Sequence, residues 1–262
     1  MLNLKPRLTP NAQVDDEPGE GAWRLSIPVG PAGRYRLAQL DDYRGLRRGD
    51  FPWRAPLRVS LRARVSAPDL PGTWGFGLWN EPFSASLGLG GMGQRLPTLP
   101  DAVWFFYASP PNYLSFRDDL PAQGFLAATF RSSGLPGWLL AMGGLAAPLF
   151  LLPPGARLLR RVLRRLVQQD TRLVQQSVTD WHTYTLDWEI GRVTLQVDDQ
   201  AVLETTVAPR GSLALVLWID NQYAALPPGG RLAFGSLANP QPSWLEISDF
   251  SVLRVDSPPA MH

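Results

Sequence analysis

The chain has 262 residues, a length at which an all-β sandwich still folds as one unit, and its 24 glycines and 26 prolines punctuate it too densely for a helical bundle. With 45% hydrophobic and 18% charged residues it can bury a sizeable core, which excludes a disordered protein. No cysteine and two histidines, His182 and His262, exclude a disulfide scaffold, a thiolate centre and a histidine-built zinc site, and a net charge of +2 gives no overall field to draw nucleic acid.

Residues 1–21 read as a loose lead-in, rich in Pro6, Pro10, Asp15, Asp16 and Glu17. The opening Met1 to Pro6 lacks a basic stretch followed by an apolar run, so the sequence gives the expectation of a cytoplasmic protein. From Ala22 to Ile27, and again from Leu57 to Val65, apolar and polar residues alternate with period two, as in strands buried on one face. Thr73-Trp74-Gly75-Phe76-Gly77-Leu78-Trp79 alternates large with small, the pattern of a strand that something approaches closely from one side. Ala102 to Tyr107 is apolar throughout and predicts a strand buried on both faces or flooring a cleft, and Gly124 to Phe130 predicts another.

The alternation then stops. Ser132 to Ala156 is a run of 25 uncharged residues containing Trp138. From Ala156 to about Gln176 apolar residues recur at helical spacing with Arg157, Arg160, Arg161, Arg164 and Arg165 between them, which predicts a basic amphipathic helix. Seven arginines stand against one acid, Asp170, between Arg131 and Gln176, so +6 of charge sits there and −4 over the rest. Strands resume at 181–189, 192–198, 201–206, 212–219 and 244–255. The predicted organisation is a lead-in at 1–21, a jelly-roll sandwich of two antiparallel sheets at 22–131 and 179–256, an inserted apolar and basic segment at 132–178, and a tail at 257–262.

Asp180-Trp181-His182-Thr183-Tyr184-Thr185-Leu186-Asp187-Trp188-Glu189, followed by Val193 to Gln200, resembles a stretch of the laminarinase-like family of glycoside hydrolases, family sixteen, within the concanavalin A-like lectin and glucanase superfamily. Gly72 to Trp79 resembles that family's strand before the catalytic one, and Trp244 to Leu253 its closing strand. The resemblance implies the jelly-roll fold. It also implies a catalytic strand carrying two glutamates and an aspartate, because a retaining glycosidase needs two carboxyls about 5–5.5 Å apart. The corresponding strand here, Ala102-Val103-Trp104-Phe105-Phe106-Tyr107, holds no carboxylate, and Asp101 stands at its edge. The family's catalytic residues therefore do not carry over.

An aromatic strand in that place implies a ligand cleft for a carbohydrate or an apolar small molecule. Its floor is Trp104 with Phe106, or else Val103, Phe105 and Tyr107, since alternation sends one set inward. Trp74, Trp79, Tyr113, Trp218 and Tyr223 are its expected aromatic neighbours, and Asn80, Asn112, Asp220 and Asn221 its expected hydrogen-bonding groups. The competing reading makes the aromatics sandwich core. Two other functions stay open: a glycosidase using displaced acids among Asp101, Asp118, Asp119 and Asp220, and an interaction module docking through the basic helix. No cofactor is expected; a structural calcium, frequent in the superfamily, lacks the Asp-x-Asp-x-Asp-Gly loop that would signal it. For the insertion, the readings are a hairpin covering the sandwich or a peripheral membrane surface in which Trp138, Arg157, Arg160, Arg161, Arg164 and Arg165 meet an anionic leaflet.

Overall fold

The computed structural model describes residues 3–17, 21–82, 98–134, 152–230 and 232–255. Two seven-stranded antiparallel sheets lie face to face, a jelly-roll sandwich with one α-helix among the described residues. The strands are β1 (Lys5–Leu8), β2 (Gln13–Asp16), β3 (Trp23–Ile27), β4 (Leu37–Asp41), β5 (Leu57–Val65), β6 (Thr73–Trp79), β7 (Ala102–Ala108) and β8 (Gly124–Ser132). The helix α1 (Pro153–Leu166) follows, and then β9 (Val167–Leu173), β10 (His182–Glu189), β11 (Arg192–Val197), β12 (Gln200–Thr205), β13 (Ala214–Asp220), β14 (Gln222–Ala225), β15 (Ala233–Ser236) and β16 (Ser243–Arg254). The front sheet has the order β1-β4-β13-β6-β7-β8-β9 and the back sheet β12-β11-β10-β5-β16-β3-β2, while β14 and β15 form a separate hairpin.

Period-two alternation builds the core as the sequence predicts. On β5, Leu57, Val59, Leu61, Ala63 and Val65 are buried between the sheets. Opposite them, Trp74, Phe76 and Leu78 of β6 and Val103, Phe105 and Tyr107 of β7 point inward, with Trp74 stacked on Phe125 at 4.7 Å and on Tyr107 at 5.7 Å. Each such large side chain contributes on the order of 1.5–3 kcal/mol by leaving water. Trp74, expected beside a ligand, is thus core.

Two expectations are corrected, and one strand appears that the sequence did not announce. The lead-in is ordered: β1 pairs with β4 at the edge of the front sheet and β2 with β3 at the edge of the back sheet. Their side chains are mostly exposed, so no apolar alternation marks them. The predicted helix over 156–176 begins at Pro153, whose proline-rich first turn needs no amide donors, and ends at Leu166. From Val167 the chain is strand β9, in which Val167, Gln169 and Thr171 are buried; Gln169 Nε2 donates to Thr171 Oγ1 at 2.9 Å, so polar pairing stands where apolar residues would have revealed the period. Finally β4 is buried along its whole length although it contains Gln39 and Asp41, which satisfy each other at 2.8 Å. The apolar stretch with Trp138 lies outside the described residues.

Candidate functional site

The outer face of the front sheet carries a cleft. Alternation on β7 sends Trp104 and Phe106 to this face and Val103, Phe105 and Tyr107 to the core. Cross-strand register sets Trp218 of β13 opposite Gly75, Gly75 opposite Phe106, and Gly77 opposite Trp104. The two glycines explain the large-small pattern of β6. A Cβ on Gly75 would meet Trp218 Cη2 at 2.8 Å, and one on Gly77, whose φ is +151°, would lie 2.6 Å from Trp104 Cβ. What approaches β6 closely is therefore the backbone of β7, through Phe105 O at 2.5 Å from a Cβ on Gly75 and Val103 O at 2.4 Å from one on Gly77, together with the Trp218 ring over Gly75.

Trp104 and Trp218 have ring centroids 5.5 Å apart, and Trp79 lies parallel to Trp218 at 6.5 Å with an interplanar angle of 6°. Around these three run Arg7, Tyr35, Gln39, Thr73, Glu81, Phe106, Asn112, Asp220, Gln222 and Tyr223, enclosing about 860 Å³ including the space open to solvent. The Trp218 indole N–H donates to Thr73 Oγ1 at 2.9 Å, and that hydroxyl donates to Asp220 Oδ1 at 2.9 Å. The same oxygen accepts the backbone N–H groups of Thr73 at 3.2 Å and Gln222 at 3.1 Å. Among the described residues Oδ2 has only a long contact, 3.4 Å, from the Tyr35 hydroxyl. Burial raises the Asp220 carboxyl to about 7 against the pull of these donors, and burial, followed by the nearby Asp220 charge, raises the Tyr35 phenol well above its ordinary value. The indole N–H of Trp104, a residue 8% exposed, has no hydrogen-bond partner among the described residues.

Of the residues expected at the site, Trp79, Trp104, Phe106, Asn112, Trp218, Asp220 and Tyr223 line the cleft. Besides Trp74, which is core, three others do not. Asn80 is turned away, its amide bridging Leu99 O and Asp101 N. Asn221 spends its amide on Arg34 O, Leu237 O and the Arg36 N–H, and Tyr113 lies beneath the Arg160 guanidinium, 5.2 Å from ring centroid to Cζ. Asn112, although on the lining, is fully buried and holds Ser109 O and the Ala224 N–H. These asparagines shape the walls: buried amides of this kind are satisfied by backbone groups. Sequence reasoning missed Arg7, Tyr35, Gln39, Thr73, Glu81 and Gln222. Only position opposite a recognised strand could have found them, as with Gln39, which pairs with Trp218.

The displaced acids are dispersed. Asp101 accepts the Ser132 N–H and hydroxyl at 2.8 and 2.9 Å, Asp118 binds Arg160, and Asp119 is paired with Arg117 at the surface. The cleft's two acids, Asp220 and Glu81, belong to opposite ends of β6: Asp220 pairs with Thr73 at its start, whereas Glu81 follows its end at Trp79. Seven strand residues separate these backbones by about 20 Å. Among the described residues no group of three or more His, Asp or Glu side chains is placed to hold a metal ion.

The basic helix is half embedded. Arg160, expected on a membrane surface, is 5% exposed, and its charge is taken up by Asp118 and by backbone carbonyls. Arg157, Arg161, Arg164 and Arg165 are exposed, as are Leu158 at 52% and Val162 at 42%. Among the described residues no helix is long and apolar enough to cross a membrane.

No family model and no curated protein matches the chain. Among solved structures it is similar to a Bacteroides ovatus mixed-linkage glucan GH16 protein in complex with product, at 10% identity and TM-score 0.46 over 95% of this chain and 94% of that one. It is also similar to a legume lectin-like domain from Entamoeba histolytica, at 10% identity and TM-score 0.45 over 97% and 89% of the two chains. LamAcat from Zobellia galactanivorans matches at 12% identity and TM-score 0.43 over 90% and 78%. Against a sialidase, at 10% identity and TM-score 0.46, the chain covers 97% of its own length but spans only 17% of the other. At these values the neighbours leave open what the cleft holds.

Proposed function

We propose that the chain is a carbohydrate-binding β-sandwich that takes a sugar along β6, over the tryptophans of the front sheet, without hydrolysing it. The observation that carries this is the cluster of Trp79, Trp104 and Trp218 outside the sandwich core, beside an Asp220 oxygen, Oδ2, whose one contact among the described residues is the long one from Tyr35. An indole face stacks on the C–H side of a sugar ring, and a hydroxyl supplies a donor for Asp220 Oδ2. A wholly apolar ligand would leave that oxygen with the long Tyr35 contact, at about 1–3 kcal/mol. Against hydrolysis stands the spacing of the acids: carboxyls at opposite ends of a seven-residue strand do not form the pair about 5–5.5 Å or 6.5–9.5 Å apart that glycoside cleavage uses. Calorimetric titration with laminaritetraose, cellotetraose and mixed-linkage glucan tests the reading. Binding of one of them without release of reducing sugar is expected. Silence with all three would defeat it, and reducing sugar whose release stops on Asp220→Asn would restore the glycosidase.

A second surface supports a second role. The outward side of α1 carries Arg157, Arg161, Arg164 and Arg165 around exposed Leu158 and Val162, with no acid on the helix. Four arginines at about 1 kcal/mol each attract an anionic leaflet, and the aliphatics among them suit a bilayer better than a nucleic acid. Such docking would keep the chain peripheral at a membrane. Sedimentation with phosphatidylserine vesicles, weaker at high salt and absent with phosphatidylcholine, is the expected result; equal sedimentation with both, or none, would leave α1 as cover for the sandwich.

A further inference from the structure

The guanidinium of Arg160 is the one charge of α1 turned wholly inward, and it reaches two segments that are remote in sequence. Nη1 donates to Ser115 O and, at 2.8 Å, to Leu226 O; Nε donates to Asp118 Oδ1 at 3.2 Å; and the plane lies over the Tyr113 ring. The two segments are tied to each other at that point. The Tyr113 N–H donates to Ala224 O at 2.9 Å, the Leu226 N–H to Tyr113 O at 3.1 Å, and the Ala224 N–H to Asn112 Oδ1 at 2.9 Å. Asn112, Leu114, Gln222, Tyr223 and Ala224 are one wall of the cleft. On its far side Gln169 of β9, which continues directly from α1, accepts the Phe116 N–H at 2.9 Å.

We infer that Arg160 is a positioning residue for the cleft: by joining Ser115 O, Leu226 O and Asp118 it fixes the wall formed by 112–118 and 222–226 over the tryptophans. The inference rests on the cleft being a ligand site and adds to it a dependence on the inserted helix. A planar group with five donors bridges two carbonyls and a carboxylate at once, which an ammonium cannot do with the same geometry. Without it, two buried carbonyls lose their donors and the strand-like pairing of Tyr113 with Ala224 and Leu226 loses its anchor. Because coupling between sites is reciprocal, a ligand that needs the wall in place also steadies it.

Hydrogen exchange in Arg160→Ala and Arg160→Lys, with and without laminaritetraose, decides the matter. In Arg160→Ala the Tyr113 and Leu226 amides should exchange at least tenfold faster while those of β5 and β10 stay protected, affinity for laminaritetraose should fall at least tenfold, and millimolar guanidinium should recover part of both. Arg160→Lys should fall between, and it serves alone if the alanine variant does not fold. In the native chain laminaritetraose should slow exchange of the same two amides. Unchanged exchange at Tyr113 and Leu226 in both variants would overturn the inference whatever the cleft binds. Faster exchange with undiminished affinity would equally overturn it. If the native chain ignores laminaritetraose, whichever of cellotetraose and mixed-linkage glucan binds takes its place; silence with all three defeats the ligand reading on its own, and guanidinium rescue of exchange still decides whether Arg160 holds the wall.

Discussion

Both sheets turn tryptophans outward, but they treat them differently. On the back sheet Trp181 and Trp244 are covered by arginines: Arg64 lies 4.9 Å from the Trp181 ring and Arg24 5.0 Å from Trp244, and Glu246 between them binds both guanidiniums. That face satisfies itself. On the front sheet Trp79, Trp104 and Trp218 pack on one another, and their polar edges end in Asp220 and in a Trp104 N–H with no partner among the described residues. The same residue type therefore makes a finished surface on one side and an unfinished one on the other; the neighbouring charges make the difference.

The largest break of this contrast is expected at Gly77. Alanine there places a methyl 2.4 Å from Val103 O at a φ of +151°, and should destabilise the fold by about 3 kcal/mol in chemical denaturation while expelling Trp104 from its seat. A loss below about 1 kcal/mol would mean that β6 is not crowded at Gly77 by Val103 O and the Cα and Cβ of Trp104.

The acids of the two faces should titrate with opposite sign. Asp220, and Asp42 near the front sheet's edge, are raised by burial to about 7 and about 6. A raised acid contributes most below its unfolded value near 3.9, and that contribution is lost as pH rises through the folded value. Burial also penalises Glu246, but the hydrogen bonds and charges of Arg24 and Arg64 outweigh it and hold the carboxyl below its ordinary value, so its contribution is lost as pH falls. Stability measured against pH should peak on the acid side of neutrality and decline toward pH 8. Asp220→Asn should flatten the decline by up to about 3–4 kcal/mol, the worth of a shift of some three units. Equal decline in the variant would remove Asp220 from the account.

For ligand affinity, Trp218→Ala should cost tenfold or more, in line with about 1–3 kcal/mol for an aromatic stacking platform. Trp244→Ala, in the arginine ladder of the other face, should leave affinity unchanged. The smallest effect belongs to Arg62→Ala, which removes one exposed guanidinium from over Trp181 and should shift stability by less than about 1 kcal/mol. Loss of affinity in either back-sheet variant would move the binding face.

The legible parts of the fold were those where burial and polarity alternate together. On β5 every second residue is apolar and buried, so period and face could be read directly. On β7 both faces are buried, and the sequence announced the strand without saying which aromatics floored the cleft; that needed the partner strands. β4 and β9 were illegible because polar residues that satisfy one another are buried among their apolar ones, so burial left no apolar period. Arg160 shows the same blindness at a single residue. Helical spacing placed it among the arginines but carried no sign that carbonyls from 115 and 226 wait on its side.

The pairing of the first two strands also bears on how the molecule keeps to itself. β1 and β2, joined by a turn at Asn11, belong to different sheets, so a single short corner of chain supplies one edge strand to the front sheet and one to the back sheet. Both strands are largely solvent-facing and carry Lys5, Pro6, Asp15 and Asp16, the charges and proline that discourage a further strand from adding on. Cleavage after Asp16 would bare the backbone donors and acceptors of β4 and β3 together, the first of them buried along its length. Two exposed templates at one corner would recruit strands from neighbouring copies, so proteolytic loss of sixteen residues that contribute little core should turn a dispersed protein into an aggregating one.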